Sequence, residues 1–496
     1  MQHPNEQQAF RLAKRERLLA TGTNPYPSRT GRTHLARNVV EGLDEMTDQQ
    51  VLLAGRLGPP RNMGKTVFVD LVDGSGKIQL LCRLNTLGAE GLDFLKADLD
   101  IGDIVEVAGT PMRTRTGEPS LDVAALRLLT KALNPPPDKW HGLQDVETRY
   151  RQRYVDLLVN PEVRGVFLRR AEIVSAMRRY LDGRGFVEVE TPILQPIYGG
   201  GAAKAFTTHH SALDQTLYLR IATELYLKRL LVGGIERVYE IGKDFRNEGT
   251  STKHSPEFTQ MELYQSYADY HDIMTLVEDM VATLAHEVNG STQTSFRGHD
   301  IDLAPPWTRQ PLREAIQRVT GVDYARHADS GSLAAAVLAA GIEARPGATR
   351  AQLIDELLDN TEPALIQPTF LTDYPVELSP FAKRKTEEPG LTERFEFFIG
   401  GIEVGNAFTE LNDPVDQDAR FREQAADREA GNNETNPYDE DFVNALMYGM
   451  PPTGGLGIGI DRLVMVLTNS PSIRDVILFP HMRTLSIEGE PTQGAT

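Results

Sequence analysis

The chain has 496 residues, of which 40% are hydrophobic and 25% charged, a composition typical of a globular protein with room for two or three domains. The formal net charge of −18 argues against a protein that coats nucleic acid indiscriminately, although a local basic surface could still bind RNA. No run approaches eighteen apolar residues and the first residues lack the apolar core of a secretory signal, so we expect a cytoplasmic protein without membrane association.

The first forty residues are locally basic, with seven arginines and lysines against only Glu6 and Glu16. We interpret residues 1–48 as a basic helical extension. A solvated amphipathic helix and a segment that contacts RNA both explain this charge pattern.

Residues 49–132 have an all-β pattern with one helix. The five predicted strands are VLLAGRL, TVFVDLV, KIQLLCRL, DIVEVAG and SLDVAALRLL, and helical spacing appears in GAEGLDFLKADL between the third and the fourth. This order is that of an OB-fold, whose strand face commonly binds single-stranded nucleic acid. The only cysteine, Cys82, fits a small core residue of the third strand and excludes an internal disulfide or a cysteine-based zinc cluster.

Three residues of this domain have side chains suited to bases. Phe68 could stack on a base, Gln79 could read a base edge, and Glu118 could accept a hydrogen bond from another base. Taken one at a time, each of them is better explained by a core or turn role.

Residues 133–150 are predicted to be a linker, because the three consecutive prolines in KALNPPPDKW cannot continue a helix or a central strand. Beyond it, apolar spacing predicts an amphipathic helix over residues 163–182, followed by the short strand FVEVETP. The small residues of YGGGAAKAF would let a ligand approach the backbone closely. The stretch ELYLKRLLV is predicted to be a helix that begins after Thr223 and ends at Gly233.

A hairpin is predicted over residues 238–265, VYEIGKDFRNEGTSTKHSPEFTQMELYQ, because two strand-like runs flank a charged interval rich in turn formers. Alternation along a strand places Glu262 and Tyr264 on one face together with Phe258 and Gln260. An arginine, a histidine and a phenylalanine beside a loop suit a nucleotide, since guanidinium pairs with phosphate and an aromatic ring can stack on a base. A surface hairpin decorated with ion pairs is the alternative interpretation.

A second hairpin is predicted in FEFFIGGIEVGNAFTEL. If Gly400 and Gly401 form a two-residue turn, Glu396 and Glu403 become diagonal neighbours on one face. Two carboxylates near phosphate suit Mg²⁺. A bulge at Gly405 would bring the face of Asn406, Phe408 and Glu410 round to join Glu403.

Three stretches resemble the signature motifs of class II aminoacyl-tRNA synthetases. FRNEGTSTKHSPEFTQMELY is similar to the second motif in the form found in the lysyl-tRNA synthetase family, GLGIGIDR resembles the third, and the helix at 163–182 resembles the first. The resemblance implies an α+β catalytic domain on a mostly antiparallel sheet over residues 151–484, preceded by an anticodon-binding OB-fold. It also implies a homodimer built on the first motif. Residues 283–370 are then a small insertion of short helices, and residues 485–496 a disordered tail.

The resemblance implies ATP-dependent activation of L-lysine and transfer of lysine to its tRNA. Arg246 and Arg462 would be catalytic and would bind ATP together with Glu248, His254 and Phe258. The remaining implied roles are lysine binding by Gly200, Glu224, Glu262, Tyr264, Asn406, Phe408 and Glu410, Mg²⁺ binding by Glu396 and Glu403, and anticodon binding by Phe68, Gln79 and Glu118.

The sign of the charges favours lysine as the substrate. Glu262, Glu410 and the Tyr264 hydroxyl would surround the end of the substrate side chain, and buried carboxylates without a cation cost several kcal/mol. These three positions include no basic residue that could pair with an aspartate side chain, although an aspartate- or asparagine-specific enzyme shares the motifs. A transferase that lysylates a protein and a non-enzymatic RNA-binding paralogue are further alternatives, opposed respectively by the OB domain and by the retained Arg246, Arg462 and paired acids.

Overall fold

The structure is a computed structural model. It describes residues 5–137, 143–429 and 435–484, which divide between two compact units, Met1–Gln144 and Asp145–Thr496. The middle of the predicted linker and the predicted tail at 485–496 lie outside the described residues.

The first unit is a β-barrel with flanking helices. Its sheet has the order β1-β5-β6-β4-β3-β2, and an additional pairing of β1 with β3 closes it. The elements are α1 (Glu6–Ala20), α2 (Ala36–Glu41), β1 (Val51–Leu57), β2 (Arg61–Met63), β3 (Thr66–Val72), β4 (Lys77–Arg83), α3 (Leu84–Ala97), β5 (Ile104–Arg113) and β6 (Pro119–Thr130). The predicted OB-fold is confirmed. Only β2 was missed, because its three exposed residues carry no alternation.

The basic side chains of α1 bind acceptors within their own unit. Arg11 donates to the carbonyls of Ala132 and Ile101 at 2.9 and 3.0 Å, Lys14 pairs with Asp100 at 2.8 Å, and Arg17 pairs with Asp98 at 2.5 Å. The contacts of Arg11, Lys14 and Arg17 therefore support a role in holding the helix to its own unit rather than a role in binding RNA.

A buried ion cluster ties the end of β6 to the loop before β5. The Lys131 ammonium, which is fully buried, lies 2.7 Å from the carboxylate of Asp103 and 2.5 Å from that of Asp100. Asp103 also accepts hydrogen bonds from the backbone N–H groups of Asp100 and Ala132, both at 2.8 Å. Buried charges are tolerated when they are paired and hydrogen-bonded in this way.

The second unit is built on an eight-stranded sheet with the order β15-β16-β17-β18-β19-β12-β11-β7. Its pairs are antiparallel except at the two edges, β15–β16 and β11–β7, so the predicted mostly antiparallel sheet is confirmed. The strands are β7 (Val187–Glu188), β8 (Leu194–Gln195), β9 (Thr207–His210), β10 (Gln215–Leu219), β11 (Arg237–Phe245), β12 (Glu257–Ser266), β13 (Gln293–Phe296), β14 (His299–Asp302), β15 (Thr308–Pro311), β16 (Thr369–Thr372), β17 (Arg394–Phe398), β18 (Glu403–Thr409) and β19 (Thr453–Gly459).

Helices cover one face of this sheet. The helices of the unit are α4 (Val146–Arg151), α5 (Arg153–Val159), α6 (Pro161–Asp182), α7 (Glu224–Val232), α8 (Tyr270–Asn289), α9 (Leu312–Thr320), α10 (Ser330–Ala339), α11 (Arg350–Thr361), α12 (Pro414–Glu429), α13 (Glu440–Met447), α14 (Ile460–Thr468) and α15 (Ile473–Val476). The buried faces of α6, α8 and α14 pack in one core with Met261 and Leu263 of β12. Since side chains alternate along a strand, Glu262 and Tyr264 point to the opposite face.

The segment predicted as an insertion, 283–370, divides differently in the structure. Helix α8 continues to Asn289, and β15 and β16 belong to the main sheet. Helices α9, α10 and α11 form a separate small core around Leu312, Leu333 and Leu353. None of the described helices combines the length and apolarity needed to cross a bilayer.

We predict that Lys131→Met will destabilise the barrel by about 3–5 kcal/mol, because it leaves the buried Asp103 carboxylate without its cation. Hydrogen exchange of the β5 and β6 amides, followed by mass spectrometry, measures this loss locally. Lys77→Met is the control, since that side chain is 68% exposed and its ammonium lies 3.7 Å from the Asp70 carboxylate. This variant should change the free energy of opening measured by exchange by less than about 0.5 kcal/mol. Equal protection in the two variants would contradict the assigned role of Lys131.

Candidate active site

A pocket lies on the face of the large sheet opposite α8, and glycines of β19 make room for it. Gly457 and Gly455 pair with Glu262 and Tyr264 across the sheet. A β-carbon at Gly455 would overlap the carboxylate of Glu410, so only glycine admits that side chain here. All fourteen residues that sequence analysis assigned to lysine, ATP or metal line this one pocket.

One end of the pocket carries cations from the β11–β12 loop. The Arg246 guanidinium lies 5.1 Å from the centre of the Phe258 ring, and its buried Nε donates to no acceptor among the described residues. An unpartnered guanidinium N–H beside an aromatic ring is suited to an anionic, planar ligand.

His254 stands at the same end, with its Nδ1 3.0 Å from the Ser251 hydroxyl. Partial burial and then the nearby Arg462 guanidinium lower the pKa of His254 below its ordinary value. The imidazole therefore favours its neutral form when no anionic ligand is bound. A bound phosphate would favour the charged form.

The two acids of the second hairpin face this pocket, as predicted. Ile399 and Ile402 close the Gly400–Gly401 turn, and Phe398 pairs with Glu403. The register shifts between Phe397 and Phe398, so the bulge falls at Val404, next to the predicted position.

Both acids already have cationic partners. Glu396 accepts from Arg394 at 2.6 Å and from the Tyr374 hydroxyl at 2.8 Å, and Glu403 pairs with Arg462 at 2.7 Å. Burial, opposed in part by Arg394, raises the pKa of Glu396 to about 7. Burial also disfavours ionisation of Glu403, but Arg462 outweighs it and holds the pKa of Glu403 below its ordinary value.

The other end of the pocket is rich in buried carboxylates. Glu262 accepts hydrogen bonds from Thr223 at 2.7 Å, Gln260 at 2.9 Å and the Tyr264 hydroxyl at 3.2 Å, all neutral donors. Burial and the neighbouring carboxylates raise the pKa of Glu262 to about 8. This end therefore binds protons readily in the absence of another cation.

Glu224 and Glu410 complete this acidic end. Burial raises the pKa of both, most strongly that of Glu410, which is fully buried. Gly200, with a φ of +87°, packs against Glu224, and a β-carbon there would lie 2.9 Å from the Glu224 β-carbon. Asn406 and Phe408 line the floor between the two ends.

The comparisons with known proteins agree with this geometry. Residues 145–483 match the family model described as tRNA synthetases class II (D, K and N), and residues 51–129 match the OB-fold nucleic acid binding domain. The chain belongs to the class II tRNA synthetases.

Relatives of this synthetase are similar over almost their full length. A lysine–tRNA ligase of Roseiflexus castenholzii is 57% identical, over 97% of this chain and 99% of the relative. Lysine–tRNA ligases of Moorella thermoacetica and Dehalococcoides mccartyi are 55% and 50% identical, each over 97% of this chain and 98% of the relative.

The three residues expected to bind an anticodon lie on the barrel of the synthetase. The pairs Phe68–Leu81 and Asp70–Gln79 between β3 and β4 place Phe68 and Gln79 on one face of the sheet. Gln79 accepts from Ser120, and Glu118 is exposed two residues before that serine.

Lys228 was not among the residues predicted from the sequence, and it supplies a protein cation to the acidic end of the pocket. The fully buried Lys228 ammonium lies 2.5 Å from a Glu224 oxygen and in direct ionic contact with Glu410. The pair of Glu224 and Lys228 could have been predicted from the sequence, since a glutamate followed four residues later by a lysine forms a pair along a helix.

Thr223 also differs in detail from its prediction. It occupies the position before α7, but its side chain makes no capping hydrogen bond and donates to Glu262 instead. The helix start thus supplies a donor to the pocket, because Thr223 is buried against β12.

We predict that Glu262→Gln will flatten the pH dependence of stability of the ligand-free synthetase. The pKa of Glu262 is about 8 when folded, above its ordinary value of 4.5, so the folded protein binds this proton more tightly than the unfolded chain. The stability contributed by this group is present at low pH. It is lost as pH rises from 4.5 to about 8, by up to about 1.4 kcal/mol per pH unit.

Urea unfolding at a series of pH values between about 5 and 8 measures this slope. Glu314→Gln, at an exposed glutamate of α9, is the matched control and should keep the wild-type slope. A wild-type slope in Glu262→Gln would mean that Glu262 is ionised throughout.

Proposed function

We propose that this protein is a lysine–tRNA ligase. It activates L-lysine with ATP to form lysyl-adenylate and pyrophosphate, and then transfers lysine to the terminal ribose of lysine tRNA. The observation that carries the proposal is the cluster of Glu224, Glu262 and Glu410, three buried carboxylates with one ammonium, at the end of the pocket away from the arginines.

Lysine fits this polarity along its whole length. Its ε-ammonium is held by Glu410, Glu262 and the Tyr264 hydroxyl, and its α-ammonium by Glu224 and the carbonyl of Gly200. Asn406 and Phe408 line the path between them. Burial, together with neighbouring carboxylates, raises the pKa values of Glu262 and Glu410, and an ammonium ligand beside them would favour their charged forms.

The nucleotide occupies the arginine end. Arg246 holds the lysine carboxylate and the α-phosphate together, Phe258 stacks on the adenine, and Glu248 accepts from its amine. His254 and Arg462 hold the outer phosphates. The in-line attack of carboxylate on phosphate needs positioning and charge stabilisation rather than a protein nucleophile, so Arg246 and Arg462 are the catalytic residues.

Glu396 and Glu403 would hold Mg²⁺. Among the described residues, no group of three or more His, Cys, Asp or Glu side chains is placed so that it could hold a metal ion. A two-carboxylate site suits Mg²⁺, which takes its other ligands from phosphates and water. When bound, the ion supplies positive charge to the phosphate oxygens.

The barrel face of Phe68, Gln79 and Glu118 binds the anticodon of the tRNA. Homodimer formation through the first motif is supported by exposed apolar side chains of α6 and of β7 and β8, the two short strands that follow it in the chain. Leu168 is 58% exposed, Val187 50% and Leu194 48%. Burial of such side chains between two copies is favourable. The expected location is the cytoplasm.

An aspartate- or asparagine-specific synthetase of the same class is the second candidate, because the matched family model covers all three specificities. The acidic end opposes it. An aspartate side chain would add a fourth carboxylate to three, at a cost of several kcal/mol.

Exchange of labelled pyrophosphate into ATP, measured with each of the twenty amino acids in turn, tests the proposal. We expect lysine to support exchange at least about 100-fold better than aspartate or asparagine, because aspartate carries the wrong sign of charge and neutral asparagine leaves the buried carboxylates without a cation. Exchange driven best by another amino acid would remove the lysine assignment.

Glu410→Gln should raise the KM for lysine by about 30-fold or more and the KM for ATP by no more than about twofold, since it removes a buried charge from the lysine end alone. The same exchange reaction measures both constants. Glu314→Gln again serves as the control for loss of a carboxylate. Equal effects on the two substrates would contradict the assigned role of Glu410.

Phe68→Ala should weaken aminoacylation of lysine tRNA by about 5- to 100-fold through its KM, the range expected for loss of one stacked base. Amino-acid-dependent exchange does not require tRNA and should be unchanged. A defect in exchange would show that Phe68 acts by stabilising the protein rather than by binding RNA.

A further inference from the structure

We propose that Lys228 is a specificity-determining positioning residue of the pocket. Its ammonium cancels one of three buried carboxylate charges, so that the two that remain match the two ammonium groups of lysine. This inference rests on the proposed function, because it specifies how the same pocket selects that substrate.

The surroundings of Lys228 make its charge effective. Its side chain is fully buried, and its ammonium lies 5.1 Å from the ring centre of Phe381, 5.4 Å from that of Phe408 and 6.0 Å from that of Tyr264. These aromatic walls keep water from the ion cluster. In such surroundings one charge more or less is poorly screened and has a large effect on binding.

The charged groups that face this site come from five elements. They are Glu224 on α7 with Lys228 itself, Asp244 on β11, Glu262 and Tyr264 on β12, Arg394 on β17, and Glu410 directly after β18. Arg394 is paired with Glu396, and Asp244 with Arg220 at 3.1 Å. Among the described residues, Lys228 is therefore the cation directly bound to the acidic cluster.

The charge count gives Lys228 its role. When lysine is bound and all three acids are ionised, Glu224, Glu262 and Glu410 carry three negative charges, Lys228 carries one positive charge, and the substrate brings two ammonium groups to this part of the pocket. The charge of the substrate carboxylate is neutralised separately, by Arg246. Without Lys228, mutual repulsion would drive a proton onto one of the carboxylates, and a protonated acid binds an ammonium poorly.

A purely structural role makes a different prediction. A lysine that only fills space and holds α7 in place would affect lysine and ATP alike when replaced, with no change in pH dependence. A lysine that sets the charge of the pocket affects lysine binding selectively, and its loss is partly reversed at high pH, where the carboxylates ionise again.

The test is Lys228→Met, a substitution of similar length that removes only the charge, assayed by pyrophosphate exchange between pH 6.5 and 8.5. We expect the KM for lysine at pH 7 to rise at least about 10-fold and that for ATP to stay within about twofold, as for loss of one partner of a buried ion pair. The KM for lysine of the variant should fall as pH rises, more steeply than that of the wild type.

Arg229→Met is the matched control. Arg229 is the next residue of α7, and its guanidinium pairs with Asp439 and Asp441 instead of the pocket acids. This variant should keep the wild-type KM for lysine and its pH profile. A wild-type KM, or an unchanged pH profile, in Lys228→Met would overturn the proposal.

A second comparison decides the matter if Lys228→Met alone does not fold. Glu410→Gln leaves two carboxylates and Lys228, a net charge of −1, whereas Lys228→Met/Glu410→Gln leaves two carboxylates alone and restores the wild-type net charge of −2. We therefore expect the double variant to have a lower KM for lysine than Glu410→Gln. An equal or higher KM would show that Lys228 is only structural.

The wild-type enzyme separates this inference from the proposed function. If wild-type exchange does not depend on lysine, the proposed function fails. If wild-type exchange depends on lysine while the variants behave as a structural role predicts, only the role of Lys228 fails.

Discussion

Three buried carboxylates near one buried ammonium, which contacts two of them, are the constraint on which this candidate active site depends. Carboxylates removed from water are costly unless cations or donors balance them. Lys228 balances the charge of Glu224 and Glu410 in part, and Glu262 has only neutral donors. The cluster thus retains an affinity for further positive charge, which protons satisfy when no substrate is bound. The fold accepts this electrostatic cost at the position where an ammonium ligand removes it.

The two ends of the pocket differ in their charge balance. At the arginine end Glu396 is paired with Arg394 and Glu403 with Arg462, and the buried Nε of Arg246 has no acceptor among the described residues. This end therefore attracts anions, whereas the end around Glu410 attracts cations. A molecule with ammonium groups at one end and a carboxylate directed towards phosphate is oriented by this difference before any reaction occurs.

The sheet holds these groups at fixed positions. Alternation along β12 sends Met261 and Leu263 into the helix-covered core and leaves Glu262 and Tyr264 in the pocket, so the side chains that line the pocket are held by those that stabilise the fold. Gly455 on β19 lets Glu410 lie against the strand backbone. The bulge at Val404 turns Glu403 onto the pocket face, although uninterrupted alternation from Asn406 would place it in the core.

Local periodicity was enough to predict much of this arrangement. The hairpin of β11 and β12 keeps one register throughout, so parity alone grouped Phe258, Gln260, Glu262 and Tyr264, and the two-glycine turn grouped Glu396 with Glu403. Strands β1, β3 and β5 of the barrel were equally predictable because each alternates between buried and partly exposed residues. The assignment of roles to these residues came from resemblance to a family, and the roles stay predictions.

Tertiary structure decided what no local pattern contains. Lys228 and Glu224 are neighbours along one helix, so their pair could be inferred from spacing. Glu410, directly after β18, reaches the same ammonium only because the fold brings it beside α7. Likewise β15 joins the main sheet by a parallel pairing with a strand about sixty residues away. The sequence by itself determined which face of each strand carries chemistry, because alternation is a property of the chain. Which charges neutralise one another depends on distances between segments remote in sequence, and those distances exist only in the folded protein.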